Sequence, residues 1–211
     1  MHDFEYVPRS EYLPLKKQIM ELIYEVQDEV EEFFTFRFDF IGSTKRKMIT
    51  RDRKSNKGFD FDVNIEVNDD DEEYTAEDIR KIMKNAITKV SRRYGFTKCE
   101  DSTRVITIIM ANRRLSTREH SCDFAIVYNR QYIRFNKKQH NYTWEYQPKG
   151  YKDLEDKAET LKRDKDKKYW NEVLSVYLDK KNRNDDPDKH SRSIYAETIN
   201  EVYTRYLNDH K

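Results

Sequence analysis

Hydrophobic residues near the start of the chain recur every three or four positions, which predicts a helix from Leu13 to Phe34. The next segment, Thr35 to Ile41, alternates polar and apolar residues in the manner of a half-buried strand. A second alternating segment, Phe59 to Val67 (FDFDVNIEV), puts its apolar residues on one face and its acidic residues and Asn64 on the other. The chain therefore begins with a helix and two strands that each have one face to bury.

The remaining pattern predicts a further helix, then a group of strands, then more helices. Thr75 and Asp78 have the spacing of a capping box, so we expect the second helix to begin there and run to about Tyr94. Charged residues dominate Lys152 to Lys165, for which we expect an exposed helix. The other predicted elements are strands at Thr103 to Ala111, Ser121 to Tyr128 and Gln131 to Phe135, a helix around Trp170 to Leu178, and a last helix from about Ser191 to Leu207.

This order of elements predicts an α+β fold, with a mixed sheet, helices packed on it and a C-terminal helical tail. We expect two domains, residues 1–148 as a core that includes the N-terminal helix and residues 149–211 as a C-terminal helical lobe. The basic stretch from Thr44 to Gly58 shows little apolar pattern, and we expect a helical turn followed by a mobile loop there.

The composition of the chain excludes several classes of protein. Its 211 residues contain 41 basic and 40 acidic side chains, so the net charge of +1 provides no general attraction to nucleic acid. Aromatic residues make up 13% of the chain, enough for a folded core despite the 38% of charged residues. No apolar run reaches about 20 residues and no signal sequence is recognisable. We therefore expect no membrane contact and a cytoplasmic location, with Cys99 and Cys122 as reduced thiols.

Three acidic residues on predicted strands are the candidates for chemistry. Asp60 and Asp62 lie two residues apart on one strand and so share a face, with their Cβ atoms roughly 7 Å apart. Asp123 lies in the middle of a later strand. Carboxylates gathered in this way repel one another unless they hold a cation, and Mg²⁺ prefers such oxygen ligands. The alternative is that each acid lies on a solvated strand face.

Other common site motifs are absent from the sequence. The chain has neither the G-x-x-x-x-G-K-[ST] phosphate loop nor the G-x-G-x-x-G dinucleotide fingerprint, and its five histidines lack zinc-binding spacing. Tyr142, Trp144 and Tyr146 alternate along one segment. They either stack on bases or, as we favour, form a strand face that packs on the protein.

The chain resembles the polymerase-beta-like nucleotidyltransferases in the order of three features. A Gly-Ser pair follows a strand, an Asp-apolar-Asp strand comes next, and a later strand carries a single Asp. The residues that carry this resemblance are FIGST at Phe40 to Thr44, FDFDVNIEV at Phe59 to Val67 and CDFAIVY at Cys122 to Tyr128. Within that superfamily the chain is similar to the branch of oligoadenylate synthases, cyclic GMP-AMP synthases and bacterial enzymes that make cyclic oligonucleotides. The resemblance covers Leu13 to Phe135 well and the C-terminal part weakly.

The resemblance implies a role for each residue of the core motifs. Gly42 and Ser43 would hold the triphosphate of a bound nucleotide. Asp60 and Asp62 would bind both of two Mg²⁺ (or Mn²⁺) ions. Asp123 would bind the second ion and help to activate the attacking hydroxyl group.

The C-terminal part offers weaker matches to the cyclase branch, in which a lysine and a serine reach the triphosphate. Ser193 matches the serine, and Lys168 or its neighbour Lys167 matches the lysine. The alternative for Ser191 and Ser193 is that one of them caps the last helix.

The implied function is transfer of a nucleoside monophosphate from an NTP to a hydroxyl acceptor, with release of pyrophosphate. A second nucleotide as acceptor, which we favour, would give a linear or cyclic oligonucleotide messenger of antiviral defence. An RNA or tRNA end would give a toxin-type modifying enzyme, and a small molecule would give a drug-inactivating enzyme. Two functions without catalysis also stay open, a nucleotide- or RNA-binding module and a plain interaction protein. The basic residues from Lys45 to Lys57 either contact phosphate or nucleic acid or form a solvated loop.

Overall fold

The structure is a computed structural model that describes residues 2–69, 73–112, 114, 117–147, 150–151 and 153–211. Its first elements alternate between strand and helix, and its last three are helices. In chain order the elements are β1 (Phe4–Tyr6), α1 (Arg9–Val30), β2 (Thr35–Ile41), α2 (Gly42–Arg46), β3 (Thr50–Asp52), β4 (Phe59–Asn68), α3 (Ala76–Arg93), β5 (Lys98–Asp101), β6 (Val105–Asn112), β7 (Thr117–Tyr128), β8 (Gln131–Asn136), β9 (Asn141–Tyr146), α4 (Leu154–Arg163), α5 (Lys168–Arg183) and α6 (Ser191–Asp209).

One mixed sheet organises most strands of the described chain. Its order is β2–β4–β7–β6–β5, and β8 pairs both with β7 and with β9. β4 and β7 run parallel, whereas the pairs β2–β4 and β6–β7 are antiparallel. β1 and β3 form a separate two-stranded sheet. The predicted α+β fold with a mixed sheet, packed helices and a helical C-terminal part is confirmed.

The apolar face of β4 is the centre of the hydrophobic core. Its five apolar residues are at most 3% exposed, as their alternation with polar residues predicts. They belong to one cluster with the apolar residues of α1 and α3. Because side chains alternate across a strand, this burial leaves the acidic residues of β4 on the opposite face of the sheet.

The two long helices of the core differ in how well the sequence locates their ends. α3 carries the predicted capping box, in which the Thr75 hydroxyl accepts from the Asp78 amide and the Asp78 carboxylate accepts from the Thr75 amide. α1 begins at Arg9, directly after Pro8, and not at Leu13. Pro8 is the N-cap residue, and its carbonyl accepts from the amides of Glu11 and Tyr12, so helical hydrogen bonding begins there.

The structure corrects the sequence pattern in two regions. The predicted helical turn in the basic stretch is α2, but the chain continues into the buried residues Met48 and Ile49 and the strand β3. α4 is not an exposed helix, because it buries Leu154, Ala158 and Leu161. The sequence does not reveal β1, β3 and β5, because three or four residues are too few to show a period of two.

The described residues divide into two compact units. The larger unit contains the mixed sheet with α1, α2 and α3, and the smaller one contains α4, α5 and α6 with residues 2–5 and 52–54. Within the smaller unit, the buried rings of Tyr177 and Tyr195 meet edge to face with their centroids 6.3 Å apart. The predicted boundary between residues 148 and 149 lies outside the described residues, so the division into 1–148 and 149–211 stays a prediction. Among the described helices, none is both long and apolar enough to cross a bilayer.

A buried arginine fastens α3 to the strands beside it. Arg80 is only 1% exposed, and its guanidinium donates to Oδ1 of Asp101 from Nε at 3.0 Å and from a terminal nitrogen at 2.5 Å. It also donates to the backbone carbonyls of Ser102 and Arg104, and it lies 5.0 Å from the centre of the Tyr142 ring. This set of partners compensates the guanidinium for its loss of water.

We expect Arg80→Met to lower the free energy of unfolding by about 3–5 kcal/mol, because it leaves the Asp101 carboxylate without its buried partner. Lys84→Met is the matched control, since Lys84 is the more exposed partner of the same carboxylate at 3.1 Å. Its loss should cost less than about 1 kcal/mol. Urea denaturation followed by circular dichroism measures both variants, and equal losses would contradict the anchoring role of Arg80.

Candidate active site

Parallel pairing of β4 with β7 brings the three predicted acids together. Asp62 lies directly opposite Asp123 in the register of the two strands, and Asp60 lies opposite Ser121. Neighbouring strands are about 4.8 Å apart, so the side chains of Asp62 and Asp123 leave the sheet side by side and on the same face. The face opposite the hydrophobic core therefore carries Asp60, Asp62 and Asp123 as one group, which we call the acidic triad.

Two hydroxyl groups orient the outer acids of the triad. The Ser121 hydroxyl donates to Oδ1 of Asp60, and Ser121 is completely buried. The Thr107 hydroxyl donates to Oδ1 of Asp123 at 2.6 Å, because Thr107 lies opposite Asp123 in the antiparallel register of β6 and β7. Each hydroxyl fixes the orientation of the carboxylate to which it donates.

Asp62, the central acid, lies in an unfavourable electrostatic environment. Burial is the largest cause, and the negative charges of Asp123 and Asp60 add to it, so that the pKa of Asp62 is raised to about 6. The positive charge of Arg46 on α2 acts in the opposite direction and favours the ionised form. At neutral pH the triad therefore concentrates negative charge that an added cation would neutralise.

Gly42 brings the start of α2 against the triad. Its φ is +59°, and a Cβ atom at this position would lie 2.3 Å from Oδ2 of Asp62. Any side chain here would collide with the acid, and glycine adopts a positive φ without the strain that other residues meet. Ser43 follows as the second residue of α2, and its carbonyl accepts from the amide of Met48 at 2.9 Å. The turn that the sequence predicts to hold phosphate thus lies beside Asp62.

The triad fits a divalent cation by the chemistry of its side chains. Three carboxylates share one face, and the raised pKa of Asp62 reflects its burial together with repulsion from Asp123 and Asp60, which a bound cation would offset. In the described part of the chain, no three Asp, Glu, His or Cys side chains are gathered as a finished metal cluster. In this structure the triad is therefore not arranged as a metal site, and cation binding would require its carboxylates to rearrange.

Lys168 and Ser193, the other predicted nucleotide-binding residues, belong to the smaller unit and have partners there. Lys168 begins α5 and forms an ion pair with Asp209 at 3.2 Å, and its ammonium lies 4.7 Å from the centre of the Tyr169 ring. The Ser193 hydroxyl accepts from the Tyr151 hydroxyl at 3.2 Å. The contribution of these two residues to triphosphate binding stays a prediction.

The alternative assignment of a serine as the cap of α6 is wrong. His190 occupies the cap position, and no side-chain capping bond forms at this end among the described residues. Ser191 and Ser193 are the first and third residues of the helix itself. A helical backbone at both serines leaves their hydroxyls outside the geometry that capping requires.

Sequence reasoning did not identify Ser121 and Thr107. Ser121 precedes Asp123 by two residues on the same strand, so the alternation of side chains already places both on one face. Thr107 is a polar residue within the apolar strand β6, where a partly buried hydroxyl usually has a hydrogen-bond partner. The signal that was missing is the sheet register, because each hydroxyl meets a carboxylate on another strand.

Comparison with known proteins finds its matches among solved structures. No protein-family model matches the chain, and no curated protein matches it significantly. The chain is similar to the STING-associated CdnE c-di-GMP synthase from Capnocytophaga granulosa, with a TM-score of 0.59 and 13% identity over 96% of this chain and 63% of that one. The Vibrio cholerae DncV cyclic AMP-GMP synthase, solved with the linear intermediate 5′ pppA(3′,5′)pG, gives a TM-score of 0.56 and 16% identity over 93% and 54%. The Bradyrhizobium diazoefficiens CD-NTase CdnG, solved with GTP, gives 0.52 and 14% over 72% and 42%.

These matches confirm the predicted resemblance at the level of the fold. The chain shares the fold of these CD-NTases and dinucleotide synthases. It spans between 42% and 63% of the length of these three proteins. At identities of 13–16% the likeness shows the fold, so the chemistry has to be argued from the residues of this chain.

Neutralising Asp62 should make the cation-free protein more stable. The ordinary pKa of the group is 3.8, and the folded state raises it to about 6, so folding disfavours the ionised form. We expect Asp62→Asn to raise the free energy of unfolding by roughly 1–3 kcal/mol at neutral pH in EDTA, measured by urea denaturation. The gain should shrink as the pH falls through about 6, because Asp62 then becomes protonated in the folded state, and it should vanish below the ordinary pKa of 3.8, where both states are protonated.

Glu66→Gln is the matched control for this measurement. Glu66 lies on the same face of β4, but Arg37 donates to it at 2.7 Å and lowers its pKa, so the fold favours its charge. This variant should show no gain in stability. A gain of equal size in both variants, or none in Asp62→Asn, would contradict the repulsion inferred for the triad.

Gly42→Ala should disturb the triad through Asp62. The added Cβ collides with Oδ2 of Asp62, and the positive φ adds a strain of about 1–2 kcal/mol. Gly95→Ala is a control with φ +82° in which the nearest atom is Cε of Met110 at 3.6 Å. Both variants should be less stable than the wild type. Calorimetry should show Mn²⁺ affinity reduced at least about tenfold in Gly42→Ala alone, and an unchanged affinity would rule out this contact as a determinant of the site.

Proposed function

We propose that this chain is the catalytic part of a divalent-cation-dependent nucleotidyltransferase. In the proposed reaction the acceptor oxygen forms a bond to the α-phosphorus of an NTP. The bond from that phosphorus to its bridging oxygen breaks, and pyrophosphate leaves with the electron pair. The main support for this proposal is the register of β4 and β7, which places Asp60, Asp62 and Asp123 on one face of the sheet. On that face the negative charges of Asp60 and Asp123 disfavour ionisation of Asp62.

Each acid of the triad has a proposed task. All three would hold Mg²⁺ or Mn²⁺, and the bound cation would supply positive charge to the phosphate oxygens during transfer. Asp123 is also proposed to accept the proton of the attacking hydroxyl. Thr107 supports this role because its hydrogen bond fixes the orientation of that carboxylate, as Ser121 does for Asp60. Both hydroxyls act through the acids and are positioning residues.

The start of α2 is proposed to meet the triphosphate. Backbone amides around Gly42 and the Ser43 hydroxyl would contact the outer phosphates, because a helix start presents amide donors. The missing Cβ of Gly42 supports this arrangement, since it lets the turn approach Asp62 and keeps phosphates and acids within one small region. Lys168 and Ser193 would add contacts to the triphosphate, as the resemblance implies.

A second nucleotide is the acceptor that we favour. One structural neighbour is a c-di-GMP synthase and another is a cyclic AMP-GMP synthase solved with a linear dinucleotide intermediate, which supports an oligonucleotide product. The first of these is described as STING-associated, which supports a role in antiviral signalling. Transfer to an RNA end or to a small molecule uses the same triad, so product analysis has to separate these acceptors.

The test is pyrophosphate release from each NTP with Mg²⁺ or Mn²⁺, combined with mass spectrometry of the products. We expect Asp60→Asn and Asp62→Asn each to reduce the rate at least about a hundredfold, because each removes a negative ligand from the cation that stabilises the transition state. Glu66→Gln, on the same strand face, should keep the wild-type rate. Chelation by EDTA should abolish the reaction.

Stability and activity should change in opposite directions in the same variant. Asp62→Asn should be both more stable in EDTA and inactive, a pair of effects that a merely structural acid would not produce. Normal activity in Asp62→Asn would refute the mechanism. Nucleotide binding without pyrophosphate release under any condition would instead support the non-catalytic binding module.

A further inference from the structure

A cavity of about 720 Å³ lies between α1 and β2, the strand at one end of the mixed sheet, and α2 contributes to it. We call it the α1–β2 groove. All of its lining residues belong to the larger unit, and none of the three acids of the triad is among them. Its volume lies within the range of about 300–1,000 Å³ that is typical of small-molecule sites.

The groove is positively charged. Arg9, Lys16, Lys45 and Lys47 line it, and Asp39 is the one acid that does so within the described chain. None of the four basic side chains forms an ion pair with another described residue. Elsewhere in the same unit basic residues do have acidic partners, as in the pairs of Arg37 with Glu66 and of Arg51 with Glu11. The positive electrostatic potential of the groove can therefore attract an anion from solution.

The floor of the groove is aromatic. Phe38 and Phe40 are half-buried because β2 is an edge strand, and their rings meet edge to face with centroids 6.3 Å apart. The ammonium of Lys16 lies 4.5 Å from the centre of the Phe40 ring. Half-buried rings beside a cation suit a ligand that has a flat ring system and a negative charge.

One buried hydroxyl in the groove lacks a hydrogen bond. Thr44 is 4% exposed, and its Oγ1 is buried with no partner among the described residues. A buried hydroxyl without a partner is unfavourable by about 1–3 kcal/mol. A polar atom of a ligand in the groove would supply the missing bond.

We propose that the α1–β2 groove is a second nucleotide site, which binds a nucleoside phosphate without a divalent cation. The aromatic floor would take the base, and the lysines near α2 would take the phosphates. Nucleoside phosphates have both parts, whereas inorganic polyphosphate lacks the ring and a nucleoside lacks the charge. The site differs from the proposed catalytic one in its chemistry, because it is built from cations instead of acids.

Independence from divalent cations separates the two sites experimentally. In EDTA the acidic triad repels a triphosphate, so binding of the fluorescent analogue mant-ATP, measured by anisotropy, should report the groove. We expect Lys45→Glu combined with Lys47→Glu to weaken this binding at least about tenfold. Lys137→Glu combined with Lys138→Glu makes the same change in net charge at the exposed turn between β8 and β9 and should bind as the wild type does.

Two further variants address the hydroxyl and the triad. Thr44→Val keeps the shape of the side chain but removes Oγ1, so it should weaken mant-ATP binding without lowering the melting temperature. Asp62→Asn should leave the affinity in EDTA unchanged. A marked rise in affinity in Asp62→Asn would place the bound nucleotide at the triad and overturn the proposal, as would equal affinity of the two double-lysine variants.

Competition identifies which part of the ligand is recognised. ATP should displace mant-ATP at lower concentration than either tripolyphosphate or adenosine. If tripolyphosphate competes as well as ATP, the aromatic floor contributes nothing and the assignment to nucleotides is wrong. This binding measurement involves no turnover, so its result is independent of the proposed enzymatic activity. The groove could bind nucleotide in a protein that releases no pyrophosphate, and it could fail to bind in one that does.

Discussion

The parallel register between β4 and β7 is the constraint on which the rest of the structure depends. A shift of one residue along β7 would turn Asp123 towards the core and bring an apolar neighbour to the open face. The register is held from the buried side, where Phe61 lies opposite Cys122 and Val63 lies opposite Phe124, all at most 1% exposed. The packing that builds the hydrophobic core thus also sets the geometry of the acids on the other face.

Among the described residues, the core directly behind the triad is apolar and aromatic and supplies no charge that would relieve the acids. Rings follow one another there, with Phe59 5.6 Å from Phe61 and stacked on His120 at 5.9 Å. Burial lowers the pKa of the His120 imidazole, which disfavours its charged form. Compensation has to come from the open face, where Arg46 contributes a positive charge to Asp62.

The regular alternation of β4 and the capping box of α3 are local signals, and both could be predicted from the sequence. The grouping of Asp60 with Asp62 follows from the same alternation. The contact of Asp123 with them could be expected only through the family resemblance, because strand order and register are not encoded within one strand. The hydrogen bonds from Ser121 and Thr107, and the approach of Gly42 to Asp62, arise between elements distant in sequence. The periodicity of polar and apolar residues along the sequence does not predict these contacts.

α2 is only five residues long, but it borders both the acidic triad and the α1–β2 groove. The amides of Lys47 and Met48 close it by donating to the carbonyls of Thr44 and Ser43, so it forms one hydrogen-bonded turn. Its first residue approaches Asp62, and Thr44 lines the α1–β2 groove. One short turn thus borders both the acidic triad and the α1–β2 groove, so the backbone that holds Gly42 against Asp62 also holds Thr44 in the wall of the groove.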